Sequence, residues 1–286
     1  MENTKPIRAV QQIMLGTVTG SEKQAEKTLA AIKDAGYEGI ELNRFMIHPT
    51  PLLVRFLTRA AGMPTGNGGK LDWHALIRNA GLCVPALHTD LGSLEKDPEG
   101  AAEEAHSFET SHLVITGMYR FAYGDPDAVK QLAERLNRAG ERLQKEGISL
   151  CYHNHNCELQ RVAPGKRAYD LLIDGTDPAY VGFEFDSYWI AEGGADPKEW
   201  MDRLGERLKL WHINDRGARL QGPAMTPILK TDACELGTGN MPLDALKERA
   251  ERAGVRAIVL ETHKNWIDND PIKSIQVSAR YFKENS

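Results

Sequence analysis

Short apolar runs alternate with longer amphipathic stretches along the chain. The apolar runs cover 12–15, 39–42, 84–88, 112–115, 149–152, 181–185, 208–213 and 257–260. Between them, apolar residues recur at helical spacing over 22–35, 128–146, 197–208, 243–253 and 271–281. Asp-Pro pairs at 125–126, 196–197 and 270–271 open such stretches. Asp caps the free N–H groups of a first turn, and Pro fits the first helical position because its missing N–H needs no partner there. Gly36, Gly81, Gly147 and Gly254 follow helical runs, where a left-handed closing residue is wanted.

Strand-then-helix repetition implies a parallel sheet with helical crossovers. Eight repeats in 286 residues predict an α/β protein with one (β/α)8 TIM-barrel domain spanning 1–286. The competing open, doubly wound sheet calls for a GxGxxG turn after an early strand. Gly16-Thr17-Val18-Thr19-Gly20 lacks that spacing. Residues 62–70, rich in glycine, read as a surface loop of the second strand–helix unit.

In a parallel barrel, the residues that close each strand surround one mouth. Here they are Glu41 after the second run, His88 after the third, and His153, His155 and Glu158 after the fifth. Glu184 and Asp186 close the sixth, His212 and Asp215 the seventh, Glu261 and His263 the eighth. Carboxylates and imidazoles without thiolates suit a single divalent cation: Mn²⁺ first, with Mg²⁺, Co²⁺, Fe²⁺ and Zn²⁺ as alternatives. Asp186, His212 and Glu261 are the expected ligands. Glu158 is the preferred fourth, with His153 or His155 competing. Alternation puts Glu184 on the face of Asp186, one layer deeper, as a structural or supporting group.

A net charge of −5 gives no basic face for nucleic acid. No apolar run approaches membrane-spanning length, and 1–8 lacks a signal-peptide core, so a cytoplasmic protein is expected. Cys83, Cys151, Cys157 and Cys234 form no CxxC pair and read as reduced thiols. Cys83 and Cys151 are expected to pack inside, with Cys157 a minor ligand candidate. The chain leaves a homo-oligomer open.

The run Tyr152-His153-Asn154-His155-Asn156-Cys157-Glu158 resembles the Tyr-His-Asn-His-x-x-Glu signature of one branch of the xylose isomerase-like barrel superfamily, the sugar phosphate isomerases/epimerases. Gly36–Glu41, Asp186–Trp189, His212–Asp215 and Gly237–Gly239 support the resemblance in the same order. It implies one metal ion held from strands five to eight, carried onto Asp186, His212 and Glu261. Where keto-sugar epimerases carry a metal-bound Glu within strand five, this chain has His153; where the branch often has Lys, it has Asn214.

Such a family implies a small carbohydrate substrate and isomerisation or epimerisation of a keto sugar through a metal-stabilised enediolate. His153, His155 and Glu261 are the expected proton-transfer groups. Glu41, His88, Trp189, Asp215 and His263 are expected to contact substrate. The alternative is a metal-dependent lyase or dehydratase acting on an inosose or 3-keto-glycoside, which shares the same intermediate. An endonuclease IV-like nuclease is a remote third reading, since the basic surface and further ligands it needs are not evident. A catalytically silent sugar-binding barrel is a fourth.

Overall fold

Eight parallel strands close into a barrel, each hydrogen-bonded to its neighbours in chain order. They are β1 Ile7–Gln11, β2 Gly39–Asn43, β3 Leu87–Thr89, β4 His112–Thr116, β5 Ser149–His153, β6 Val181–Asp186, β7 Leu208–Ile213 and β8 Ala257–Leu260. The computed structural model describes residues 5–49, 69–118, 120–218, 226–262 and 264–285. His263 and most of the loop expected at 62–70 lie outside them.

Seven strands sit where the apolar runs predict. The first does not. Residues Gln12–Leu15 form a 3₁₀ turn, and the strand is the preceding Ile7–Gln11. Gln11 ends that strand by accepting a hydrogen bond from the Ile13 N–H at 3.0 Å, which starts the turn. The third run is shortened to Leu87–Thr89 because Pro85 has no N–H to give a ladder; Cys83 makes only an isolated bridge to Gly39. Cys83 is exposed, correcting its expected burial, while Cys151 is buried as expected.

The helix ends follow their local chemistry. Asp125, Asp196 and Asp270 accept backbone N–H groups at the starts of Pro126–Lys145, Pro197–Leu204 and Pro271–Glu284. Asp97, in a further Asp-Pro pair, caps Pro98–Ser107 in the same way. The four closing glycines all take positive φ, between 64° and 104°.

By its contacts the chain divides into two compact units. One is Val84–Trp211 with Arg249–Ala257 and a short N-terminal piece. Under its strands lies an aromatic layer in which Tyr169 stands 5.8 Å from Phe183 and 4.9 Å from Trp200, with the Arg207 guanidinium 4.8 Å above Phe183. Helix Pro126–Lys145 presses so closely that a Cβ on Gly140 would lie 2.2 Å from the Tyr180 carbonyl oxygen. The other unit is Ile7–Cys83, His212–Glu248 and Ile258–Ser286. There Tyr37 is buried edge-on against Phe282, and its hydroxyl donates to the Ile275 carbonyl at 3.2 Å. This unit also carries an antiparallel hairpin, Asp215–Ala218 with Thr231–Cys234, which the run pattern does not reveal.

Candidate metal centre

In the unit of Val84–Trp211, strand register brings the polar groups together. β5 and β6 pair His153 with Glu184, and β4 and β5 pair Thr116 with His153. His153 Nδ1 lies 2.9 Å from Glu184 Oε2, and His88 Nε2 lies 3.0 Å from the same oxygen. His88 Nδ1 meets Thr116 Oγ1 at 3.1 Å. All are buried but for the rim residue Thr116. An ionised carboxylate only accepts, so Glu184 fixes the proton of neutral His153 on Nδ1 and turns the lone pair of Nε2 away from itself. A carboxylate behind an imidazole in this way raises its basicity as a ligand.

Asp186 ends β6 and caps helix Ser187–Glu192, its Oδ1 accepting the Trp189 N–H at 3.0 Å. The Asn154 amide clamps the Asp186 backbone from β5, donating to its carbonyl at 3.0 Å and accepting its N–H at 3.1 Å. The His155 ring stands 5.0 Å from that of His153 and 5.7 Å from Trp189.

In the other unit the proportions reverse. β1 and β2 pair Gln11 with Glu41, and Gln11 Nε2 donates to Glu41 Oε2 at 2.9 Å. The orientation of Gln11 is fixed, since its Oε1 accepts from Ile13 N–H at 3.0 Å and Asn43 Nδ2 at 2.5 Å. His212 sits between two carboxylates, with Nε2 2.6 Å from Glu41 Oε2 and Nδ1 2.6 Å from Glu261 Oε2. Glu41 and His212 are fully buried; Glu261 is 6% exposed.

In the first unit His88, His153 and Glu184 meet, and Asp186 is buried at the end of the next strand; in the second, Glu41, His212 and Glu261 meet. The side chains of both units are carboxylates and imidazoles with no thiolate, which is the donor chemistry of a hard or borderline divalent ion. Buried polar groups of this kind, drawn together, fit a metal ion.

Glu158 belongs to neither group. Its carboxylate accepts from the Tyr152 hydroxyl at 2.7 Å, the His155 N–H at 2.9 Å and the Cys157 thiol at 3.1 Å. Asp215 is likewise occupied. Its two oxygens accept the backbone N–H groups of Arg216, Gly237, Gly239 and Met241 at 2.8–3.1 Å. A Cβ on Gly239 would lie 2.3 Å from that carboxylate, so the loop can wrap it only with glycine there. Sequence reasoning passed over Gln11, Asn154 and Tyr123, whose partners come from other strands and loops. For Gln11 the available signal was a polar residue closing a strand.

A family model described as xylose isomerase-like TIM barrel matches residues 29–285, and the chain belongs to that family. Among curated relatives, an inosose dehydratase of Geobacillus kaustophilus (strain HTA426) is 23% identical over 213 residues, 68% of this chain and 63% of the relative. The chain thus matches under two thirds of that relative's length. Among solved structures, a sugar phosphate isomerase/epimerase from Parabacteroides distasonis ATCC 8503 superimposes with a TM-score of 0.75 at 22% identity, covering 99% of this chain and 96% of the other. A xylose isomerase-like TIM barrel protein from Mycobacterium smegmatis, in complex with magnesium, gives 0.65 at 14% identity, covering 99% and 96%. At these identities the structural likeness is one of fold. No helix among the described residues is long and apolar enough to cross a membrane.

Proposed function

We propose that the chain is a divalent-metal-dependent enzyme that removes the proton beside a carbonyl of a polyhydroxylated substrate and expels the neighbouring hydroxyl as water. The supporting observation is that buried carboxylates and imidazoles end the strands of each unit, His153 and Asp186 in one, His212 and Glu261 in the other. These four residues would hold the ion. A divalent cation bound there supplies Lewis acidity at a substrate oxygen and makes the adjacent C–H more acidic.

The remaining work falls to the protein. Glu184 orients His153, and Glu41 with Gln11 orients His212. His155, half-buried beside Trp189, takes the proton from carbon; such a positioned base contributes about 10²–10⁴-fold. The electron pair released forms the C=C bond as the β-hydroxyl departs, and the proton taken up by His155 passes to that hydroxyl to give water. Trp189 offers an apolar wall to a ring, and Asp215 keeps the Gly237–Gly239 loop in place. His88, with its ring nitrogens engaged by Glu184 and Thr116, holds Glu184 in place behind His153.

Isomerisation or epimerisation, placed first by the sequence, becomes the second reading. Strand five brings imidazoles where a two-carboxylate proton shuttle would need a glutamate, and the curated relative is a dehydratase. The likeness to a sugar phosphate isomerase/epimerase keeps the second reading in view. Incubating the Mn²⁺-loaded protein with an inosose and with keto sugars in D₂O separates them by NMR. Loss of water with a new alkene signal supports dehydration. Deuterium at carbon without loss of water supports isomerisation or epimerisation. With neither, the reading fails.

A further inference from the structure

The Glu158 carboxylate is fully buried and stands at the end of a hydrogen-bonded chain joining two loops. The Met118 N–H donates to the Tyr123 hydroxyl at 2.8 Å, that hydroxyl meets the Tyr152 hydroxyl at 2.8 Å, and Tyr152 donates to Glu158 Oε1 at 2.7 Å. Glu158 Oε2 accepts the His155 N–H at 2.9 Å and the Cys157 thiol at 3.1 Å. A carboxylate offers about four lone-pair positions. Three are occupied by donors from within the same unit.

The donors remain donors. Burial, and next the charge of Glu158, push the Tyr123 hydroxyl and the Cys157 thiol above their ordinary ranges. The cage is tight as well. A Cβ at Gly117 would lie 3.2 Å from Glu158 Oε1, 3.2 Å from the Tyr123 hydroxyl and 3.3 Å from His155 Nδ1. Glycine at 117 lets the β4 loop close over the carboxylate and the imidazole together.

We infer that Glu158 is a positioning residue that clamps the loop bearing His155, and that it is not a ligand of the metal ion. This rests on the proposed function, in which His155 moves the proton and His153 stands among the ligands. A buried carboxylate holding one backbone N–H and two side-chain donors sets where the His155 ring stands against Trp189. A glutamine at 158 would turn an amide N–H toward one of those donors and release the loop, without removing any residue of the His153 group.

The test uses the full-length protein, stripped with chelator and titrated with Mn²⁺ by calorimetry, alongside ¹H–¹⁵N spectra of the imidazoles. In Glu158→Gln the Mn²⁺ affinity is expected to stay within about threefold of wild type, whereas Asp186→Ala lowers it by about 100-fold. The His155 ring signals are expected to shift and broaden in Glu158→Gln and, less so, in Tyr152→Phe. Gly117→Ala, which alters no charge, should move them too. A loss of Mn²⁺ binding in Glu158→Gln as large as in Asp186→Ala would overturn the inference, as would unchanged His155 signals in all three folded variants. A wild-type protein that binds no Mn²⁺ would instead sink the metal reading, with the His155 spectra still deciding the clamp.

Discussion

In the unit that holds Val84–Trp211, one carboxylate, Glu184, faces the two imidazoles of His88 and His153. In the unit that holds Ile7–Cys83, His212–Glu248 and Ile258–Ser286, one imidazole, His212, faces the carboxylates of Glu41 and Glu261. The residue types are the same and the ratio is inverted. An excess of imidazole supplies neutral nitrogen ligands and proton acceptors near pH 7; an excess of carboxylate supplies negative charge that a cation can offset. The difference teaches that the same residue types give each unit its own balance of imidazole nitrogen and carboxylate charge.

Removing the shared residue is the most severe way to test that contrast. His212→Ala leaves two buried carboxylates without their common partner and is expected to cost about 3–5 kcal/mol in urea unfolding, together with the loss of Mn²⁺ binding. A cost below about 1 kcal/mol would show that His212 does not hold those charges together. Glu184→Gln keeps an acceptor but removes the charge, so its cost should be smaller, about 1.5–3 kcal/mol. Equal losses in the two variants would erase the asymmetry.

Acid sharpens the contrast at the opposite end of the first unit. His112 begins β4, and burial, then the charges of Arg256 and Lys209, lower its pKa to about 4 from an ordinary 6.5. Because the folded value lies below the unfolded one, stability is fully present above about pH 6.5 and is lost as pH falls toward 4. His112→Gln should remove about 2 kcal/mol of the stability loss between pH 7 and pH 5. An unchanged slope in denaturant titrations across that range would contradict it.

The smallest effects provide the control. Asp125→Ala in the first unit and Asp270→Ala in the second each delete a helix cap, and each should lower stability by about 1 kcal/mol. Widely different losses would mean that the units differ in general robustness and not in the chemistry of their strand ends.

Much of this arrangement is legible along the chain because a barrel strand advertises its end. An apolar run followed by a carboxylate or imidazole marks Glu41, His88, Asp186, His212 and Glu261 without reference to any partner. What is not legible depends on where loops return. Glu158 follows the strand-five histidines in a readable spacing, but that spacing does not show the 3₁₀ turn Cys157–Leu159 or the Tyr123–Tyr152 pair whose Tyr152 hydroxyl donates to its carboxylate. Gln11 was hidden because Ile13, Met14 and Leu15 are more apolar than the strand itself, so hydrophobicity alone picked the turn. Asp215 looks like a strand-end substrate contact in sequence, yet four backbone N–H groups, from Arg216, Gly237, Gly239 and Met241, donate to its carboxylate.

Anomalous diffraction from crystals of the Mn²⁺-soaked protein locates the ion and its ligands in one map. The expected result is a single strong peak at bonding distance from His153, Asp186, His212 and Glu261. A map with no peak in contact with Asp186, His212 and Glu261 together would contradict the proposal of a shared cation at these strand ends.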